Sequence, residues 1–276
     1  MKPARLDREL VAEIAQLVGA REARWIVEHG GSRRTVDDLV RRRMAGEPLQ
    51  YVLGRWQFRE LELEVGPAAL IPRPETEVVA GLALREMARL AGSRDELVVA
   101  DLGTGTGAIA LSVAVEGAQL PGVRQLRVLA TDVSTGALAL AARNAADVLG
   151  THDGFPPVAF FEGSWYEALP AELANRLSVV VSNPPYVSEG EWQELDPEVR
   201  DHEPHDALVS GPTGLEDLEE IVGGAPLWLS PGGALVAEIA PHQAVAAQAL
   251  AEGAGLVPEV LPDLAGRLRC LVARAL

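Results

Sequence analysis

The chain has 276 residues, with 24 basic and 40 acidic side chains, a net charge of −16 and 48% hydrophobic residues. That length holds one large domain or two ordinary ones, and the apolar share supports a real core. The acidity argues against the usual phosphate-backbone binder, whose affinity comes from counterion release by a basic stripe. The single Cys270 excludes an intramolecular disulfide and a cysteine-based zinc site.

The first ten residues, MKPARLDREL, are polar and unlike a signal peptide, so a cytoplasmic location is expected. No apolar run approaches the roughly 20 residues that span a bilayer. Residues 4–18 place Leu6, Leu10, Ile14 and Leu17 at helical spacing. A second short helix is expected over 21–29, stopped by Gly30 and Gly31. A third starts near Thr35, where Thr35 and Asp38 resemble a capping box, and ends at Gly46. From Leu49 the pattern changes to aromatic and β-branched residues around Gly54, which predicts a β-hairpin over about 49–65. A proline-containing loop and a helix over about 75–90 follow.

From residue 97 short apolar strands alternate with helical segments. The strands are VVADL, RVLATD, VAFFEG, SVVVSNPP, GGALVAEIA, LVPEVL and RLRCLVARAL. The helices are expected over 107–117, 135–149, about 214–229 and 242–253. This alternation implies an α/β fold with a largely parallel sheet covered on both faces. The charge divides the same way. Residues 1–90 carry 15 basic and 14 acidic side chains, whereas residues 91–276 carry 9 and 26. The predicted organisation is a helical domain over 1–47, a hairpin linker over 48–66 and an α/β domain over 67–276.

Two motifs carry chemistry. The strand ending in Asp101-Leu102 runs into Gly103-Thr104-Gly105-Thr106-Gly107, and a helix follows. Glycines let the backbone turn tightly and approach a ligand, and the helix N-terminus offers oriented N–H groups. The spacing is GxGxG, which is neither the GxGxxG of dinucleotide enzymes nor a P-loop. The next strand ends in Asp132, about 25 residues on, a position suited to ribose hydroxyls. Asp132 could alternatively cap the helix that begins near Ser134.

The second motif is Asn183-Pro184-Pro185-Tyr186 at the end of SVVVS. Two prolines end a parallel strand and leave their carbonyls free as acceptors. A planar amino group is a poor nucleophile because its lone pair is delocalised. The Asn183 oxygen and the Pro184 carbonyl can each accept one N–H from such a group, while Tyr186 lies against it. The task is positioning and electrostatics without a strong base.

Together, DLGTGTG at 101–107, Asp132 and NPPY at 183–186 resemble the class I S-adenosylmethionine-dependent amino-methyltransferases. GEPLQYVLGRWQF (46–58), LIPRPETE (70–77) and EPHDALVSGPTGL (203–215) narrow the resemblance to the protein N5-glutamine methyltransferases that modify peptide chain release factors. The resemblance implies a Rossmann-like domain with a mostly parallel seven-stranded sheet, preceded by a small helical domain. It implies methyl transfer from S-adenosyl-L-methionine, leaving S-adenosyl-L-homocysteine, to the glutamine of a Gly-Gly-Gln loop. By matching motif, Gly103, Thr104, Gly105, Thr106 and Gly107 would wrap the methionine part of the cofactor. Asp132 would bind its ribose and Trp165 its adenine. Asn183 would touch cofactor and substrate, and Pro184, Pro185 and Tyr186 would complete the glutamine pocket. Arg73 and Glu75, in the loop expected over the active site, are candidate substrate contacts. The helical part before residue 46 is short for this family, whose N-terminal domain helps to recognise the release factor. The expected partner is a release factor, met by a monomer without direct nucleic-acid or membrane contact.

Other features read more plainly. The run Asp201-His202-Glu203-Pro204-His205-Asp206 has titratable groups, but Pro204 breaks any helix and the spacing is not HExxH. A polar loop near the substrate mouth is expected there, with no metal. Arg41, Arg42 and Arg43 suit the solvated last turn of a helix. Trp56 and Phe58 suit hairpin packing. Two rival functions remain from sequence: an adenine-N6 or guanine-N2 methyltransferase, since NPPY also grips exocyclic amines, and a non-catalytic cofactor-binding protein.

Overall fold

The computed structural model describes residues 8–150 and 154–276. The first four residues of the expected 4–18 helix lie outside them. The described part is α1 (Arg8–Val18), followed by α2 (Ala20–Gly30) and α3 (Arg33–Met44). Ile14, Ala23, Ile26, Val36, Leu39 and Val40 form their common core. Leu17 is 54% exposed, so the buried face of α1 turns through Leu10, Val11, Ile14 and Val18 instead.

Three details differ from the sequence expectations. The cap of α3 is Ser32, whose hydroxyl accepts from the Thr35 amide, so the helix starts earlier than Thr35. Residues 49–53 are not a strand but a short helix, α4 (Leu49–Leu53), bracketed by Pro48 and a left-handed Gly54. Helical spacing lets Leu49 and Val52 enter the helical core together, and that burial overrides the β-propensity of Tyr51 and Val52. Finally, Arg42 and Arg43 are not a solvated patch. Arg42 pairs with Glu47, and Arg43 spans Glu22 at 2.7 Å and Glu198 at 2.8 Å.

The hairpin is thus confined to β1 (Arg55–Phe58) and β2 (Leu61–Glu64). Phe58 and Leu63 are buried in the main core, and Trp56 meets Trp25 edge to face. At its tip Arg59, with φ +50°, reaches both carboxylate oxygens of Glu116 at 2.6 Å.

The remaining elements are α5 (Pro74–Leu90), β3 (Glu96–Leu102), α6 (Ala108–Gly117), β4 (Gln125–Asp132), α7 (Thr135–Leu149), β5 (Val158–Glu162) and β6 (Leu177–Ser182). They continue with α8 (Pro197–Arg200), α9 (Glu216–Trp228), β7 (Leu229–Glu238), α10 (Ala244–Gly253), β8 (Val257–Pro262) and β9 (Leu268–Arg274). The seven-stranded sheet has the order β5-β4-β3-β6-β7-β9-β8. All pairs are parallel except β7–β9 and β8–β9. Along β3, Leu97 and Val99 face one core while Val98, Ala100 and Leu102 face the other, as a doubly covered strand requires. No helix among the described residues is long and apolar enough to cross a membrane.

The chain order sets the place of any ligand. From β3 the chain builds outward through β4 to β5, then returns to lay β6 on the other flank of β3. Connections on the two sides of β3 leave in opposite directions, which opens a crevice at the carboxyl ends of β3, β4 and β6.

Candidate active site

The carboxyl ends of β3, β4 and β6 do open into a cavity of about 590 Å³. Its floor is the loop after β3. Asp101, buried in that strand, accepts from the Thr104 hydroxyl at 2.7 Å and from the Ala110 amide at 3.0 Å. It thereby stitches the glycine loop to the first turn of α6. Its second oxygen, Oδ1, is buried with no partner. Burial pushes its carboxyl up to about 7. Asn144, on α7, holds the loop from behind. Its amide donates to the Thr106 carbonyl at 2.9 Å and exchanges bonds with the Glu64 backbone at 2.7 and 3.0 Å.

Asp132 ends β4 and faces the cavity. It accepts from the Gly105 amide at 2.8 Å through Oδ2 and from the Ser134 amide at 2.9 Å through Oδ1. It does not cap α7; Ser134 does. A carboxylate has about four acceptor positions, so two bonds leave room for ligand hydroxyls. Burial raises its pKa above the ordinary carboxylate value.

Trp165 lines the same cavity with φ +38°, a conformation that costs a non-glycine residue roughly 1 kcal/mol or more. Asp217, at the start of α9, lines the cavity with it. The ring sits so close to Gly103 that a Cβ there would come within 2.9 Å of it. This contact, together with φ +72°, accounts for glycine at 103.

At the other end, Asn183 and Pro185 line the cavity. Asn183 Nδ2 donates to the Thr76 hydroxyl at 3.2 Å, while Asn183 Oδ1 is buried without a partner. Thr76 in turn donates to Glu238 at 2.7 Å. Burial, with the nearby charge of Glu238, pushes the Tyr186 hydroxyl up to about 12. Gln243 fixes the loop backbone by donating to the Tyr186 carbonyl at 3.1 Å and the Gly214 carbonyl at 2.7 Å.

The geometry therefore sorts the expected residues. Gly103, Thr104, Gly105, Thr106, Asp132, Trp165, Asn183 and Pro185 meet around one cavity. Gly107 does not line it; with φ +83° it caps α6 and packs on Ala141. Pro184 and Tyr186 also lie off the wall. Arg73 and Glu75 have their charges engaged elsewhere. Arg73 pairs with the buried Glu203, and Glu75 with Arg267 at 2.8 Å. Glu203 also accepts from the Ile71 amide at 3.1 Å, and Tyr51 donates to the Ala69 carbonyl at 2.8 Å. These contacts hold the segment around residues 69–73 as a wall of the cavity. In the run 201–206, Glu203 thus fastens this loop and His205 meets the Trp192 ring edge to face.

Sequence reasoning missed Thr76, Glu203, Asp217 and Glu238. An acid inside the apolar strand LVAEIA was the one local signal for Glu238. Asp217 stands among the acids of the first turn of α9, a common place for a carboxylate.

Residues 84–196 match the family model for the methyltransferase small domain. The chain is 41% identical over 257 residues to the release factor glutamine methyltransferase of Xylella fastidiosa (strain 9a5c), covering 91% of this chain and 86% of that protein. It is 42% identical over 237 residues to the protein of the same name from Deinococcus radiodurans, covering 86% of this chain and 78% of the relative. A methyltransferase structure from Pyrococcus furiosus superposes with a TM-score of 0.51 at 17% identity, over 78% of this chain and 89% of that one, a likeness of fold.

Proposed function

The chain belongs to the release factor glutamine methyltransferase family, and on that premise we propose that it methylates the side-chain amide nitrogen (N5) of the glutamine in the Gly-Gly-Gln motif of peptide chain release factors. Methylation there supports translation termination. The observation that carries this reading is Asn183 Oδ1, a buried acceptor with no protein partner, on the wall of the cavity that holds the glycine loop.

The glycine loop, Asp132 and Trp165 around one cavity support S-adenosylmethionine as the cofactor. In this reading Gly103 to Thr106 hold its methionine part, Asp132 accepts from its ribose hydroxyls, and Trp165 flanks its adenine. The cofactor supplies an electrophilic methyl group. Asn183 Oδ1 accepts one N–H of the substrate amide, and the carbonyl of Pro184 is the acceptor for the other. Each bond gains as the nitrogen turns pyramidal and its N–H groups become more acidic, so the two acceptors favour the attacking form. Pro185 forms the wall beside that amide, and Tyr186 holds the loop end from behind. Arg73 and Glu75 act indirectly, by tying the loop edge to Glu203 and Arg267.

We further propose that residues 1–47 help recognise the release factor, with 48–66 as linker and 67–276 as the catalytic part. The enzyme works in the cytoplasm, as a monomer, without direct contact to nucleic acid. Transfer of a labelled methyl group tests the reading: label is expected on the Gly-Gly-Gln glutamine of a release factor and absent from DNA and RNA. Label on nucleic acid alone would overturn it.

A further inference from the structure

We propose that Thr76 and Glu238 form a positioning relay that fixes which end of the Asn183 amide meets the substrate. The inference rests on the glutamine-methylation reading above.

An asparagine amide is nearly symmetrical in shape, but its two ends have opposite hydrogen-bonding roles. Only the oxygen can accept from a substrate N–H. A flipped amide would set its own N–H groups against those of the substrate. Something in the protein must therefore select the orientation, and Pro184 and Pro185 bring no N–H to do so.

The contacts supply that selection. Thr76 sits in the first turn of α5 and is 4% exposed; Glu238 ends β7 and is 1% exposed. An ionised carboxylate only accepts, so the single Thr76 proton points to Glu238, 2.7 Å away. The remaining lone pairs of the hydroxyl then face Asn183, 3.2 Å away. Only the NH₂ end of the amide satisfies them. The oxygen is left on the opposite side, where it is buried and without a protein partner. The flipped amide would oppose oxygen to oxygen across the same gap and bury unmatched N–H groups on the other side.

Thr76 touches Asn183, and Glu238 touches Thr76. Neither transfers a group itself; they are positioning residues.

The test uses the full-length enzyme, a purified release factor and labelled S-adenosylmethionine. Thr76→Val keeps the shape of the side chain and removes the hydroxyl. It is expected to lower kcat by about 10–100-fold, with the KM for release factor and the Kd for S-adenosylhomocysteine within about threefold of wild type. Thr76→Ser keeps the hydroxyl and is expected to restore kcat to within about threefold. Glu238→Ala, which removes the acceptor of the Thr76 proton, should lower kcat at least as far as Thr76→Val. A Thr76→Val enzyme with wild-type kcat would overturn the relay. So would a Thr76→Ser enzyme as impaired as Thr76→Val, because the hydroxyl would then not be the active feature. If Thr76→Val does not fold, Thr76→Ser and Glu238→Gln decide, since Gln retains an oxygen acceptor: both must keep more than about a tenth of wild-type kcat. Wild-type enzyme that fails to label a release factor would defeat the functional reading instead, which separates the two failures.

Discussion

The two ends of the cavity are built from different materials. The glycine-loop end is mostly backbone, with amides of Gly105 and Ser134 set by Asp132 and the whole loop buttressed by Asp101 and Asn144. The Asn-Pro-Pro-Tyr end is mostly side chains, with Asn183 linked through Thr76 to Glu238 and the loop end held by Gln243. Backbone geometry tolerates side-chain replacement as long as the turn survives. A side-chain network fails at each of its members. The first end suits a ligand bound in one fixed pose; the second suits a reaction in which orientation must be exact only while the bond forms.

Substitutions at the two ends should therefore separate turnover from binding. The largest effect is expected for Asn183→Ala: kcat should fall about 10²–10³-fold or more, with cofactor affinity within about threefold. An Asn183→Ala enzyme with more than a tenth of wild-type kcat would break the division. Next comes Asp132→Ala, which removes an acceptor at the glycine-loop end. It should raise the Kd for S-adenosylhomocysteine about 10–100-fold, corresponding to the roughly 1.5–3 kcal/mol of hydrogen bonds to a charged group, as measured by calorimetry. An unchanged Kd would count against the proposed ribose role.

A titration sharpens the comparison further. Burial, with help from Glu75, pushes the Glu238 carboxyl from an ordinary 4.5 up to about 7, against the opposing pull of Thr76, Arg269 and Tyr186. Below that pH the acid carries its own proton and no longer obliges the Thr76 hydroxyl to donate to it. The kcat is therefore expected to fall about tenfold between pH 8 and pH 6, and the fall should be absent in Glu238→Gln. Stability should move the other way. A carboxyl whose pKa is raised on folding contributes most below its unfolded value and loses that contribution as pH rises through about 7. The melting temperature of Glu238→Gln relative to wild type should thus rise from pH 6 to pH 8. The smallest effect is expected at the rim. Removing the partly exposed Arg267–Glu75 pair by Glu75→Gln, which leaves the Arg267–Asp263 pair in place, should change stability by less than about 1 kcal/mol and leave kcat within about threefold.

How much of this was legible depended on range. The glycine loop, Asp132 and the Asn-Pro-Pro-Tyr turn each carry local signatures: residue types at fixed offsets next to a strand end. The strands declared themselves as short apolar runs, and their alternation with helices announced the sheet. The α4 helix was misread because Tyr51 and Val52 favour strands, whereas its fate was decided by burying Leu49 and Val52 against α2 and α3. The Thr76–Glu238 bond joins residues 162 apart, and Arg73–Glu203 residues 130 apart. Nothing in either neighbourhood names the partner. An aromatic at a strand tip suits a planar group, which points to Tyr186 at the substrate, and in the fold its side chain stands outside the cavity lining.

The cavity takes its wall from segments beginning near residue 68 and ending at residue 217, with Glu238 behind it. No contiguous fragment holds the binding groups together, so affinity for the cofactor is a property of the finished fold and not of any module within it. A saturating ligand consequently stabilises every segment at once. At 100 times its Kd it adds about 2.7 kcal/mol to the whole, and the shift in melting temperature that it causes is a gauge of how cooperatively the chain is assembled.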